Sequence, residues 1–193
     1  VPRAGLSRDA VVAIAVELID EDPATPLTLA RVAARAGVAV PSLYKHVPSL
    51  DALRDAVATV AIMRFTEAVE HAGPSHDGHS AVRSVGRAIR AFATAHPGLY
   101  AASQPAPGHE SSADYVAAAS RAVVALSTAL AAAGVPEGRL VDAVRILRAA
   151  THGFIVLDAA GGFRMPDDVD ASYERLLEVT WAGLATLGER TPE

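Results

Sequence analysis

Apolar side chains recur every three or four residues along almost the whole chain, the spacing of one face of a helix. Val11, Val12, Ile14, Ala15, Leu18 and Ile19 make the first such run. Ser7 suits its N-cap, Asp9 its first turn, and Asp20-Glu21-Asp22-Pro23 ends it. Thr28 opens a second, short helix that runs through Ala36, and Gly37 is placed to close it in the left-handed conformation. Pro41 opens a third, very short helix to about His46, and Val47-Pro48 stops it. Ser49 caps a fourth, with Asp51 in its first turn, running from about 50 to 72. Gly73 to Ser80 reads as a linker and 103–112 as a loop. Further helices are predicted over roughly 79–95, 97–102, 111–133, 137–160 and 168–187, punctuated by Gly134, Gly161-Gly162 and Pro166. No segment makes a convincing strand and no repeat is visible. The expected fold is all-α, with about nine helices.

Composition narrows the chemistry. The chain has 193 residues, enough for a real core, half of them apolar and few of them aromatic. It has no cysteine, which excludes disulfides, Cys-based zinc sites and thiol catalysis. The most apolar segment, 115–135, is interrupted by Ser120, Arg121, Ser127 and Thr128, so it reads as a soluble helix with no membrane partner. No signal peptide is recognisable, and a cytoplasmic location is expected. The net charge of −5 is uneven: residues 1–64 hold seven Arg/Lys and seven Asp/Glu, so the whole deficit falls on 65–193. A neutral head on an acidic body suits a small local contact with DNA better than a broad basic patch.

The head has the lengths of a helix-turn-helix: two short helices joined at Gly37. Leu29, Val32, Ala33 and Ala36 face inward, with Val38, Leu43, Val47 and Leu50 to pack on them. That leaves Val40, Pro41, Ser42, Tyr44, Lys45 and His46 outward on the second helix. Small residues at a helix start can approach base edges in the major groove, and Ser42 can donate or accept there. Tyr44 and His46 suit phosphate oxygens, and Lys45, the only lysine in the chain, suits a phosphate or a guanine edge. The free N–H groups after Thr28 offer a second phosphate clamp.

The stretch AGVAVPSLYKHVPSLDAL (36–53) resembles the signature of the tetracycline-repressor (TetR) family, and the resemblance extends over residues 7–53. It implies a DNA-binding domain over 1–53, a three-helix bundle, and a C-terminal helical ligand-binding and dimerisation domain over 54–193. The fourth helix would connect them. The family's DNA contacts fall on Thr28, Leu29, Val40, Pro41, Ser42, Tyr44, Lys45 and His46. Many members carry a lysine where this chain has Leu50. The resemblance further implies a repressor that binds a palindromic double-stranded operator as a homodimer, through its last two long helices, and is released by a small-molecule effector. The alternative is a carrier or sensor of the same fold without DNA-binding activity.

Residues 148–177 also look like a TetR-type C-terminal subgroup named for a Trp-His-Gly tripeptide, here Thr151-His152-Gly153. Apolar stripes independently suit dimerisation: Tyr173, Leu176, Leu177, Thr180, Trp181, Leu184 and Leu187 on the last helix, and Leu140, Val144, Leu147 and Ala150 on the one before. They suit a monomer core equally well. Candidate ligand contacts are Arg145, Arg148 and His152 on one helix face, with His96, Tyr100 and Tyr115. Arg83, Arg87 and Arg90 form another stripe, expected to face solvent. His76 and His79 lack a third metal ligand. No nucleophile elbow, phosphate-binding Gly loop or HExxH is present, so neither an enzyme nor a cofactor is expected.

Overall fold

The structure, a computed structural model, describes residues 6–72, 77–106, 108 and 110–188. Among them are nine α-helices and no strand. They are α1 (Arg8–Glu21), α2 (Leu29–Ala36), α3 (Val40–Leu43), α4 (Leu50–His71), α5 (Gly78–Ala95), α6 (Pro97–Ala102), α7 (Ala113–Ala132), α8 (Leu140–Ala159) and α9 (Val169–Ala185). A 3-10 turn over Glu137–Arg139 leads into α8. The fold is all-α, as the periodicity predicts. His76 lies outside the described residues.

The chain packs as two compact units. The first takes residues up to Phe65 together with Ala95–Ser120. Its core is formed by Val11, Ala15, Val32, Leu43, Leu53 and Leu99, all wholly buried. α6 thus packs with the N-terminal helices despite lying well beyond residue 53. The approach is backbone on backbone: a Cβ at Gly98 would overlap the Ile19 carbonyl oxygen. Only a residue without a side chain lets α6 settle on the end of α1. Beside it, Asp20 and His96 pair at 2.7 Å.

The second unit takes Thr66–Thr94 and the chain from Arg121 onward. Tyr173, Leu147, Leu177 and Leu184 fill its centre, and the Tyr173 hydroxyl donates to the Gly86 carbonyl at 2.7 Å. That bond gives a buried polar group its partner.

One expectation needs correction here, and two are refined. The arginine stripe on α5 is a clamp rather than a solvated face. Arg83 and Arg87 both hold Glu174 of α9, at 2.8 and 2.7 Å. Arg90 reaches Asp158 and Asp170 and lies 4.8 Å from the Tyr173 ring centroid. Spacing shows which residues share a face, but the facing acids come from far along the chain. The apolar stripes of α8 and α9 supply this chain's own core: Val144, Leu147, Tyr173, Leu177, Thr180 and Leu184 are buried within it. A helix lying on its own body needs that stripe there first. Finally, α7 is 20 residues long and apolar enough, by length and composition, to cross a bilayer. Its Arg121 pairs with Glu70 at 2.7 Å, the contact of a helix with one face in water.

Candidate DNA interface

Each turn of the head is closed by the group its sequence offers. Ser7 Oγ accepts from the Ala10 N–H at 3.1 Å, and Thr28 Oγ1 accepts from the Arg31 N–H at 3.2 Å. Gly37 adopts φ +67°, its N–H bonding back to Ala34 while Val38 N–H bonds to Ala33. These are the reversed carbonyl bonds that end a helix and turn the chain sharply. Ser49 Oγ accepts from the Ala52 N–H at 3.0 Å at the start of α4.

The second short helix is tighter than its sequence suggests. α3 ends at Leu43, and Tyr44, Lys45 and His46 continue as turns, with His46 and Val47 N–H both bonded to the Leu43 carbonyl. Leu43 and Val47 are buried and anchor this turn. Around that anchor Tyr44 is 55% exposed, Pro41 and Lys45 are exposed, and Val40, Ser42 and His46 are half-buried. Thr28 is exposed and Leu29 half-buried at the start of α2. Leu50 is half-buried.

The electrostatics add what spacing does not reveal. Residues 28–49 contain three fixed cations, Arg31, Arg35 and Lys45. Arg31 donates to the carbonyls of Thr25 and Pro26 and approaches Asp22 at 3.4 Å, tying α2 to the preceding segment. Arg35 chelates Glu21 and reaches Glu17. Its hydrogen bond holds the Glu21 carboxyl below the ordinary range. The Thr25 side chain does the same for Asp22. Among the described residues Lys45 has no such partner. The signal for the arginine roles was present in the sequence, in the acidic run at 20–22.

The ligand candidates divide between the two units. In the first, His96 pairs with Asp20, while Tyr100 and Tyr115 are buried, and the Tyr115 hydroxyl donates to the Pro105 carbonyl at 2.7 Å. In the second, Arg145 and Arg148 are exposed on α8 and His152 is half-buried. Sequence spacing also missed Asp55, whose carboxylate accepts from the Ser112 N–H at 3.3 Å.

Comparison with known proteins agrees with this arrangement. Residues 11–57 match the model for bacterial regulatory proteins of the tetR family, and residues 82–180 match the tetracyclin repressor-like C-terminal domain. The chain is 31% identical over 167 residues to the HTH-type transcriptional regulator Rv0681 of Mycobacterium tuberculosis, covering 86% of this chain and 75% of that one. A protein of unknown function from Rhodococcus sp. RHA1 superposes with a TM-score of 0.75 at 27% identity, over 95% of this chain and 97% of that one. A TetR variant from Acinetobacter baumannii AYE, solved in complex with minocycline, gives 0.67 at 22% identity, over 94% and 98%. The two short helices joined at Gly37, the exposed turn beyond them and the helical body are those of a DNA-binding transcriptional regulator, and the chain belongs to the tetracycline-repressor family.

Proposed function

We propose that this chain is a ligand-responsive repressor that binds a palindromic operator as a homodimer in the cytoplasm and is released by a small-molecule effector. The reading rests on the state of the cations in the helix-turn-helix. Arg31 and Arg35 are bound to the scaffold, and Lys45 stands exposed beside Tyr44. A charge left without an internal partner is available to a phosphate. Thr28, Leu29, Val40, Pro41, Ser42, Tyr44, Lys45 and His46 are the proposed contacts, with the shorter side chains nearest the bases.

Dimerisation through α8 and α9 is supported by apolar side chains left outside the core: Val141, Val156 and Leu157 on α8, and Val179, 71% exposed, on α9. Two protomers joined about a two-fold present two recognition turns, which must lie about 34–36 Å apart to read successive major grooves. Val179→Glu is expected to convert the dimer to monomer in sedimentation velocity. A wild type that sediments as a monomer at micromolar concentration removes the dimer reading.

The direct test is fluorescence anisotropy with the DNA flanking the chain's own gene, across a salt series. Saturable binding is expected from the wild type. Lys45→Ala should make the slope of log K against log salt shallower by about 0.9, the value of one neutralised phosphate. An unchanged slope removes Lys45 from the interface. No saturable binding by a folded dimer at moderate salt overturns the reading and favours a carrier of the same fold.

A further inference from the structure

A cleft of about 930 Å³ lies wholly within the first unit. Its walls come from the end of α1, the segment before Thr28, the start of α4, α6 and the approach to α7. That volume is at the upper end of the range for small-molecule sites, about 300–1,000 Å³. Ile19, Leu27, Val47, Val57, Ala58 and Tyr115 give it an apolar lining. None of Arg145, Arg148 and His152 lines it.

The charges on its walls select the ligand. Arg54 is taken by Asp51 at 3.0 Å. Asp55, half-buried on α4, accepts only from the Ser112 N–H, and neither it nor Glu110 meets a cation within ion-pair distance among the described residues. Arg8, the remaining base, is exposed. An anionic group partly withdrawn from water, facing an apolar space, favours a cation that also buries hydrocarbon.

We propose that this cleft is a binding site for a drug-sized molecule with an apolar body and one basic nitrogen, which pairs with Asp55. The proposal deepens the effector-responsive reading and rests on it for its regulatory consequence. The cleft is bounded by Pro23, Pro26 and Leu27 on one side and by Val47, Pro48 and Ser49 on another. These segments flank the helix-turn-helix, so an occupant presses directly on both of its ends.

The test uses the full chain with two dyes, the cationic, apolar rhodamine 6G and the anionic 1-anilinonaphthalene-8-sulfonate, read by fluorescence anisotropy. Rhodamine 6G is expected to bind with a dissociation constant of about 1–100 µM. The anionic dye is expected to bind at least about tenfold more weakly. Asp55→Asn, which retains an acceptor for the Ser112 N–H, weakens rhodamine 6G about tenfold or more. Ala101→Trp from α6 and, independently, Ala52→Phe from α4 fill the space and abolish binding, with folding of each variant checked by circular dichroism. Rhodamine 6G bound equally by the folded variants, preference for the anionic dye, or no dye bound by the folded wild type each overturns the proposal.

Saturating rhodamine 6G should also lower DNA affinity at least about fivefold in the wild type and not in Ala101→Trp. An unchanged DNA affinity overturns the regulatory role. Dye binding by a chain that never binds DNA leaves the cleft and removes the repressor reading. DNA binding without dye binding does the reverse.

Discussion

The two units join distant parts of the chain by different physical means. The first seats α6 on α1 by bringing Gly98 against the Ile19 carbonyl, with the His96–Asp20 pair beside it. The second ties α5 to α8 and α9 through three arginines, two of them sharing one glutamate and the third lying over an aromatic ring. A backbone approach tolerates no added atom, whereas a clamp of several long side chains loses strength in steps. The first unit does use arginine, but locally: Arg31 and Arg35 reach partners 5 to 18 residues earlier in the chain. In both units arginine is a structural tie, and the lone lysine is left facing outward.

The contrast is most exposed at Gly98. Gly98→Ala drives a Cβ into a carbonyl that belongs to the helix α6 rests on, and is expected to cost at least about 3 kcal/mol. A urea midpoint within experimental error of wild type would show that α6 can lift off α1 freely. Next comes Arg90→Met, which keeps the stem but removes the links to Asp158 and Asp170 and the charge over Tyr173. A loss of about 1–2 kcal/mol is expected in equilibrium unfolding. A loss as large as that of Gly98→Ala would make the clamp as unforgiving as the backbone contact.

Glu174→Gln should have a smaller effect, about 0.5–1 kcal/mol, because its amide oxygen in the Oε2 position can still accept from Arg83 and from Arg87 Nη2, only the Arg87 Nε bond is lost, and the site is partly solvated. Its signature is pH dependence. Hydrogen bonds from Arg87, and then Arg83, hold the Glu174 carboxyl below its ordinary value against the opposing effect of burial. A depressed folded pKa gives stability that is complete above the unfolded value, about 4.3, and is lost as pH falls through the folded one. The wild type should therefore lose part of its urea midpoint on acidification below about pH 4.3, and Glu174→Gln should lose less. Parallel pH profiles would detach Glu174 from acid sensitivity. The smallest effect belongs to Arg35→Gln, whose ion pair is fully in water: no measurable change in thermal midpoint, and an unchanged salt slope for DNA. A lower salt slope in that variant would mean that Arg35 meets phosphate, the role proposed for Lys45.

Much of this molecule was determined by sequence alone. Ser7, Thr28, Gly37 and Ser49 stop and start helices through bonds spanning three to five residues, so their meaning is local. The apolar period then fixes which face turns inward, and Leu43 and Val47 are buried accordingly. Periodicity does not say what the face meets. The stripes of α8 and α9 read equally as core or interface, and only packing assigned Leu147, Tyr173 and Leu177 to this chain's own interior. The stripe on α5 became a clamp because Glu174 and Asp158 arrive from 68 to 91 residues away. The cleft beside Asp55 is walled by α1, α4 and α6, and Gly98 is where α6 comes to lie against α1. Bonds within one turn are encoded where they act, whereas a cavity or a cross-helix pair depends on the whole path of the backbone.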